Sequence, residues 1–318
     1  MMPELPLDQV RTLLAVVDEG TFDAAASVLH VTPSAISQRV KALEQRTGRV
    51  LLMRTKPVRP TESGEVVVRF ARQLARLERD AMASLGMSGP GEPARLSIAV
   101  NADSLATWFL PALRRVPETA EVCYELRRED QDHTSALLRE GRVMAAVTSS
   151  PEAVTGCSVR GLGVMRYLPV AGSGFADRWF GPRAGTTPRD LLAAAPVVGF
   201  DRRDDLQDTF VRGLGGDRAS GRRHYVPTSE GFVAAVAAGM GWGMVPDVQA
   251  EALLAAGRLV DLAPGRTVDV PLYWQQWKLD SPSLAAVAGA VTAEAAVSLR
   301  PGGGPGAGPA GHGRSGAS

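Results

Sequence analysis

Thr32, Pro33, Ser34, Ser37, Gln38, Arg39 and Lys41 stand close together in one short stretch. Together they offer two kinds of chemistry. The hydroxyl and amide groups of Ser34, Ser37 and Gln38 can donate to and accept from base edges in a major groove. The cations Arg39 and Lys41, with Arg54 and Lys56 farther along, suit phosphate oxygens. Thr32 can cap free helix amides and Pro33 fits a first helical position, so these two shape the start of the carrying helix. Charge is concentrated in the same place. Pro33 to Pro60 holds seven basic residues (Arg39, Lys41, Arg46, Arg49, Arg54, Lys56, Arg59) against one acidic, Glu44. Met1 to Thr32 holds one basic residue, Arg11, against five acidic (Glu4, Asp8, Asp18, Glu19, Asp23). A net charge of +1 over the whole chain thus conceals a strongly cationic segment.

The elements that must position these groups follow from periodicity. Thr21 is placed to cap a short alanine-rich helix, Asp23 to Leu29, which His30 and Val31 break. A second helix opens at Thr32-Pro33-Ser34. Its Ile36, Val40 and Leu43 share one apolar face, with Ser34, Ser37, Gln38 and Lys41 opposite. Two short helices joined tightly, the second polar and basic outward, make a helix-turn-helix whose second helix enters the major groove. A small helical bundle with a solvated basic face is the plainer alternative. Ahead of the pair, Leu7, Val10, Leu13, Leu14 and Val17 form the stripe of a first helix closed by Gly20. Behind it, Val50–Met53 and Val58–Thr61 are expected as short strands around the basic tip Arg54-Thr55-Lys56-Pro57, either a wing on the DNA or a solvated turn.

Composition sets the frame. The chain has 318 residues, 45% hydrophobic and 22% charged, which is ordinary for a globular protein of two or three domains. The sequence pI near 7.9 implies no global attraction to nucleic acid. Cys123 and Cys157 follow no metal spacing, and no signal pattern or membrane-length apolar run is present; the expected location is cytoplasmic. No nucleophile elbow, P-loop, zinc pair or dinucleotide fingerprint occurs, and His30, His133, His224 and His312 have no partners recognisable by spacing, so neither an enzyme nor a cofactor is expected.

Farther on, Thr61 to Leu85 reads as one long helix with a seam at Val67, Phe70, Leu74, Leu77, Ala81 and Ser84, suited to the same helix of a second subunit. Gly86 to Pro93 is a linker by composition. Strand and helix then alternate, which implies parallel sheet with crossovers. Strands are expected at 95–100, 121–127, 143–148, 197–200, 223–226 and 242–245, and helices at 104–115, 134–142, 204–214, 229–238 and 283–300. The last helix should close the first lobe. Two lobes with crossings near 167–171 and 268–277 would leave a cleft between them. The domains are therefore a winged helix-turn-helix at 5–61, a dimerisation helix and hinge at 62–93, an effector domain at 94–300 and a disordered tail at 301–318.

The strings AAASVLHVTPSAISQRVKALE and LLMRTKPVRPTESG resemble the LysR-type transcriptional regulators. The strings AVNADSLATWFLPAL, VVGFDRRDD, PTSEGFVAAVAAGMGWGMVP and PLYWQQWK resemble the branch of ArgP/LysG regulators of basic amino-acid export. The resemblance covers about the first 300 residues. It implies an α/β protein: a winged helix-turn-helix with a linker helix, then a two-lobed effector domain like a periplasmic binding protein. It further implies a dimer or tetramer, promoter DNA and RNA polymerase as partners, and lysine or arginine as effector controlling an exporter gene. The stretch Gly213 to Arg223 and the tail depart from the family pattern.

Such an effector brings one carboxylate and two cations. The carboxylate suits the helix start after Asn101-Ala102-Asp103-Ser104, with Ser104 first, and Thr148 and Ser149 near by. The cations need acids: Asp103, Asp130, Asp201, Asp204 and Glu230 fall near expected strand or loop ends, and Asp201 sits where α/β clefts bind. Asp103, Asp204 and Glu230 would serve equally as helix caps or first-turn acids. Two alternatives stay open, a LysR-type regulator with a different small-molecule effector and an effector-independent DNA-architectural protein.

Overall fold

The structure is a computed structural model and describes residues 4–85, 87, 94–128, 131–181 and 187–302. Asp130, nearly all of the 86–93 linker and the tail from 303 lie outside the described residues. Helices α1 (Leu7–Glu19), α2 (Phe22–Val28) and α3 (Pro33–Thr47) are followed by β1 (Leu52–Met53), β2 (Arg59–Pro60) and α4 (Glu62–Ser84). Next come β3 (Ala94–Val100), α5 (Ala102–Ser104), a π-helical turn (Leu105–Phe109) and α6 (Leu110–Arg114). They are followed by β4 (Val122–Arg128), α7 (Gln131–Arg139), β5 (Ala145–Thr148) and β6 (Cys157–Gly172). The remainder is α8 (Ser173–Phe180), α9 (Pro188–Ala194), β7 (Val197–Gly199), α10 (Leu206–Gly213), β8 (Arg223–Tyr225), α11 (Ser229–Ala237), β9 (Gly243–Pro246), α12 (Asp247–Ala255), β10 (Leu259–Asp261), β11 (Val268–Trp277) and α13 (Pro282–Ser298). No described helix is long and apolar enough to cross a membrane.

The chain divides into two units. The first, Met1–Asn101, Val116–Arg160 and Trp274–Gly289, contains the head and a parallel β5-β3-β4 arrangement. The head's core is Val10, Leu13, Val16, Ala25, Ala26, Ile36, Val40 and Leu43, joined by Leu51, Leu52, Val58, Val67, Val68 and Ala71. The buried face of α1 is thus Val10, Leu13 and Val16, whereas Leu7, expected on the stripe, is exposed. At the start of α4, a side chain on Gly64 would overlap the carbonyl oxygen of Leu51, so only glycine fits there. Farther along α4, Arg76 is 1% exposed. It donates to Arg95 O at 3.2 Å, to Ser281 Oγ at 3.2 Å, to Ser283 Oγ and to Asp80, tying α4 to β3 and to the beginning of α13.

The expected seam on α4 splits. Val67 is buried in the head, Leu74 is half-buried, and Phe70, Leu77 and Ala81 face outward beside Val66 and Met82.

The second unit is Ala102–Arg115, Gly161–Tyr273 and Ala290–Ser318. Its core gathers Val170, Val198, Phe232, Val236, Val245, Ala250 and Leu259. β7 and β8 pair in parallel as the βαβ pattern requires, but β6 pairs antiparallel with both β9 and β10. β7 and β8 form a two-stranded sheet of their own, and the larger sheet is mixed, not wholly parallel, since it holds the parallel pairs of β3 as well as the antiparallel pairs of β6. α13 is shared, ending in the second unit instead of closing the first alone. The atypical stretch Gly213 to Arg223 is pinned by Asp208, which accepts from Ala219 N at 2.8 Å and from Arg223 at 2.5 Å.

Candidate functional site

The head presents its polar residues as local sequence rules require. Thr21 Oγ1 accepts from Ala24 N at 3.1 Å and starts α2. His30 adopts a left-handed φ of 53°, which sharpens the turn between α2 and α3. Thr32 Oγ1 accepts from Ala35 N at 3.3 Å and Pro33 opens α3. With Ile36, Val40 and Leu43 buried, Ser34, Ser37, Gln38 and Lys41 are exposed and Arg39 is half-buried. Arg54 and Lys56 are exposed on the turn between β1 and β2. These strands are two residues each, shorter than expected, because Pro57 and Pro60 withhold ladder donors. Among the described residues Arg39, Lys41, Arg54 and Lys56 form no ion pair, so each cation is available to a phosphate.

The second unit holds an acidic centre around Asp103, at the second residue of α5. Tyr167 on β6 donates its hydroxyl to Asp103 Oδ2 at 2.7 Å, and Ser229 at the start of α11 donates to Oδ1 at 2.7 Å. Burial pushes the Asp103 pKa above the ordinary carboxylate value; the two hydroxyl bonds oppose this and the charge of Glu230 adds to it. Asp204 is raised too, by burial first, against amide bonds from Phe200 and Leu206, and Asp103 contributes repulsion. Tyr167 is 3% exposed and its phenol is raised well above its usual value, so it is a neutral donor. Among the described residues Asp103 is in no ion pair. This centre can stabilise a cation.

The other proposed effector residues are placed as follows. Glu230 is exposed in the first turn of α11. Asp201 accepts from Arg203 N at 2.7 Å and Asp204 N at 3.1 Å, shaping the turn after β7. Ser104 and Asn101 are buried. In the first unit Thr148 is buried, donates to Ser150 O at 3.1 Å and accepts from Gln275 Nε2 at 3.4 Å. Tyr167 and Ser229 were not singled out for this centre from the sequence. A hydroxyl at a helix start is a weak signal, and the pairing with Asp103 spans the fold. Among the described residues no cluster of His, Cys, Asp and Glu could hold a metal ion.

A helix-turn-helix head with exposed cations, followed by an α/β unit with a buried acidic centre, is the architecture of a ligand-responsive regulator. The family of bacterial regulatory helix-turn-helix proteins of the lysR type matches residues 7–65, and the LysR substrate-binding domain matches residues 90–296. The chain belongs to the LysR family of transcriptional regulators, DNA-binding proteins that are not enzymes. It is 47% identical over 293 residues to the HTH-type transcriptional regulator LysG of Mycobacterium tuberculosis, covering 92% of this chain and 94% of that protein. The crystal structure of ArgP from Mycobacterium tuberculosis superposes with a TM-score of 0.85 at 47% identity, over 93% of this chain and 98% of that one. Full-length LysG from Corynebacterium glutamicum with bound effector Arg superposes with a TM-score of 0.81 at 42% identity, over 93% of this chain and 100% of that one.

Proposed function

We propose that this chain senses lysine or arginine and, in response, changes its grip on the promoter of an amino-acid exporter gene. The observation that carries this is Asp103: a carboxylate pushed toward its neutral form by burial, held by Tyr167 and Ser229, repelled by Glu230 and, among the described residues, in no ion pair. An ammonium or guanidinium group is the partner such a site lacks. The arginine bound to the Corynebacterium glutamicum relative supports the same class of ligand. In this assignment Asp103 meets a cation of the effector, Asp204 and Glu230 add negative potential, and Asp201 shapes the loop beside Asp204. Ser34, Ser37 and Gln38 read bases, while Arg39, Lys41, Arg54 and Lys56 hold phosphates. The outward row Phe70, Leu77 and Ala81 on α4 pairs with the same row of a second copy, which brings two heads to one DNA site. The protein works in the cytoplasm, with RNA polymerase as the responding partner.

Thermal-shift titration with each proteinogenic amino acid tests this, because a ligand bound by the native state alone raises the melting temperature. Lysine and arginine should raise it, by about 2.7 kcal/mol of stability at a hundredfold excess over Kd. A shift from some other ligand class and none from these two would replace the basic effector with that class.

A further inference from the structure

Glu44 is the one acid among the seven basic residues of the Pro33–Pro60 segment, a poor neighbour for phosphate unless it has other work. It sits half-buried near the end of α3. Its Oε1 accepts from Leu51 N at 2.8 Å and from Leu52 N at 3.4 Å. Leu51 is 1% and Leu52 5% exposed, so these amides are screened from water and need a protein acceptor. The ladder is short: β1 and β2 have two residues each, extended by one backbone bond from Thr61 N to Leu51 O at 2.9 Å, and Glu44 is the acceptor that the Leu51 and Leu52 amides find. Thr61, at the other end of the turn, donates to Val50 O at 2.7 Å and accepts from Gly64 N at 3.1 Å. The wing is thus fastened at its base by side chains as well as by strand pairing.

We infer that Glu44 is a positioning residue for DNA binding: it fixes the first wing strand to the recognition helix and so sets where Arg54 and Lys56 meet the duplex. This rests on the assignment of the wing to DNA. What is needed is an acceptor oxygen, not a charge, so glutamine should serve and alanine should not.

The test uses full-length protein and a fluorescent random-sequence duplex, since phosphate contacts act on any sequence, with salt titration. Glu44→Ala should lose on the order of tenfold in affinity and show a shallower salt dependence. Arg54→Ala should cost little more in that background, although it costs its full amount in the native chain. Glu44→Gln should bind at least as well as the native protein and retain the whole Arg54→Ala loss. Mass-spectrometric hydrogen exchange should show the β1 peptide opening faster in Glu44→Ala and not in Glu44→Gln. An undiminished Arg54→Ala loss beside alanine at 44 overturns the proposal, as does glutamine behaving like alanine. If Glu44→Ala does not fold, the glutamine background decides: a vanished Arg54→Ala loss there overturns it, a full loss supports it. Should Arg54→Ala have no effect even in the native chain, the DNA assignment of the wing fails by itself. Exchange in β1 then judges the fastening, and no change between native and variant chains overturns it.

Discussion

In the proposed function Gln38 reads a base and Arg54 holds a phosphate, so their substitutions should separate. An exposed amide on α3 is suited to a base edge, and a good bidentate contact discriminates by about 1–3 kcal/mol. Gln38→Ala should therefore narrow the gap between promoter and random DNA. Arg54→Ala should weaken both alike and lower the salt slope by about 1. Competition binding at several salt concentrations checks the pair; equal losses on both DNAs for both variants would contradict the division. Asp103 carries the second prediction. Because folding raises its pKa, the free protein loses stability as pH climbs from the ordinary carboxylate range through the raised value. A cationic effector wants the ionised form, so its affinity should rise over that same window and fall on acidification. Asp103→Asn should abolish the lysine or arginine response and its pH dependence while leaving DNA binding unchanged, as read by calorimetry across pH. The Thr32 cap was legible because its partner Ala35 is three residues away. The partners of Asp103 were not: Tyr167 lies 64 residues and Ser229 126 residues along the chain.

At the level of elements, α4 joins two tasks. Its outward face, with Leu77 42% exposed, lacks an apolar partner within the described chain. Leu77→Glu should convert the assembly toward monomers in sedimentation experiments and weaken promoter binding with it. Its inward face is held by Arg76, and Arg76→Ala removes a buried cation that four acceptors share. A loss of about 3 kcal/mol in denaturant unfolding is expected, since breaking a buried pair leaves its partners unsatisfied. Periodicity located α4 within a residue or two, because a long amphipathic stripe is a strong local signal. It could not distinguish Val67, buried in the head, from Phe70 and Leu77, which are outward. Nor did it extend to the π-helical turn at Leu105–Phe109, to the short helices α8 and α9 of eight and seven residues, or to α12, whose apolar residues follow no clean stripe.

At the level of the whole molecule, a net charge of +1 predicts weak salt dependence, whereas the exposed cations of the head predict a strong one. If Arg39, Lys41, Arg54 and Lys56 each neutralise a phosphate, the log–log slope of DNA affinity against salt should be about −3.6. A slope near zero would remove the head from the phosphates. The order of residues was enough by itself to specify the helix-turn-helix, the caps and glycine stops around it, the basic wing tip, the long linker helix and the alternation of strand and helix beyond. Each depends on groups a few residues apart, where spacing, capping and charge act without help from the rest of the chain. Only the tertiary structure decided that Asp103 is the held acid, that Arg76 is buried, that β6 has antiparallel neighbours and that α13 is shared by two units. Those outcomes depend on which distant backbones come together and exclude water, and the energy of a buried charge or hydroxyl is set by that enclosure and not by its neighbours in sequence.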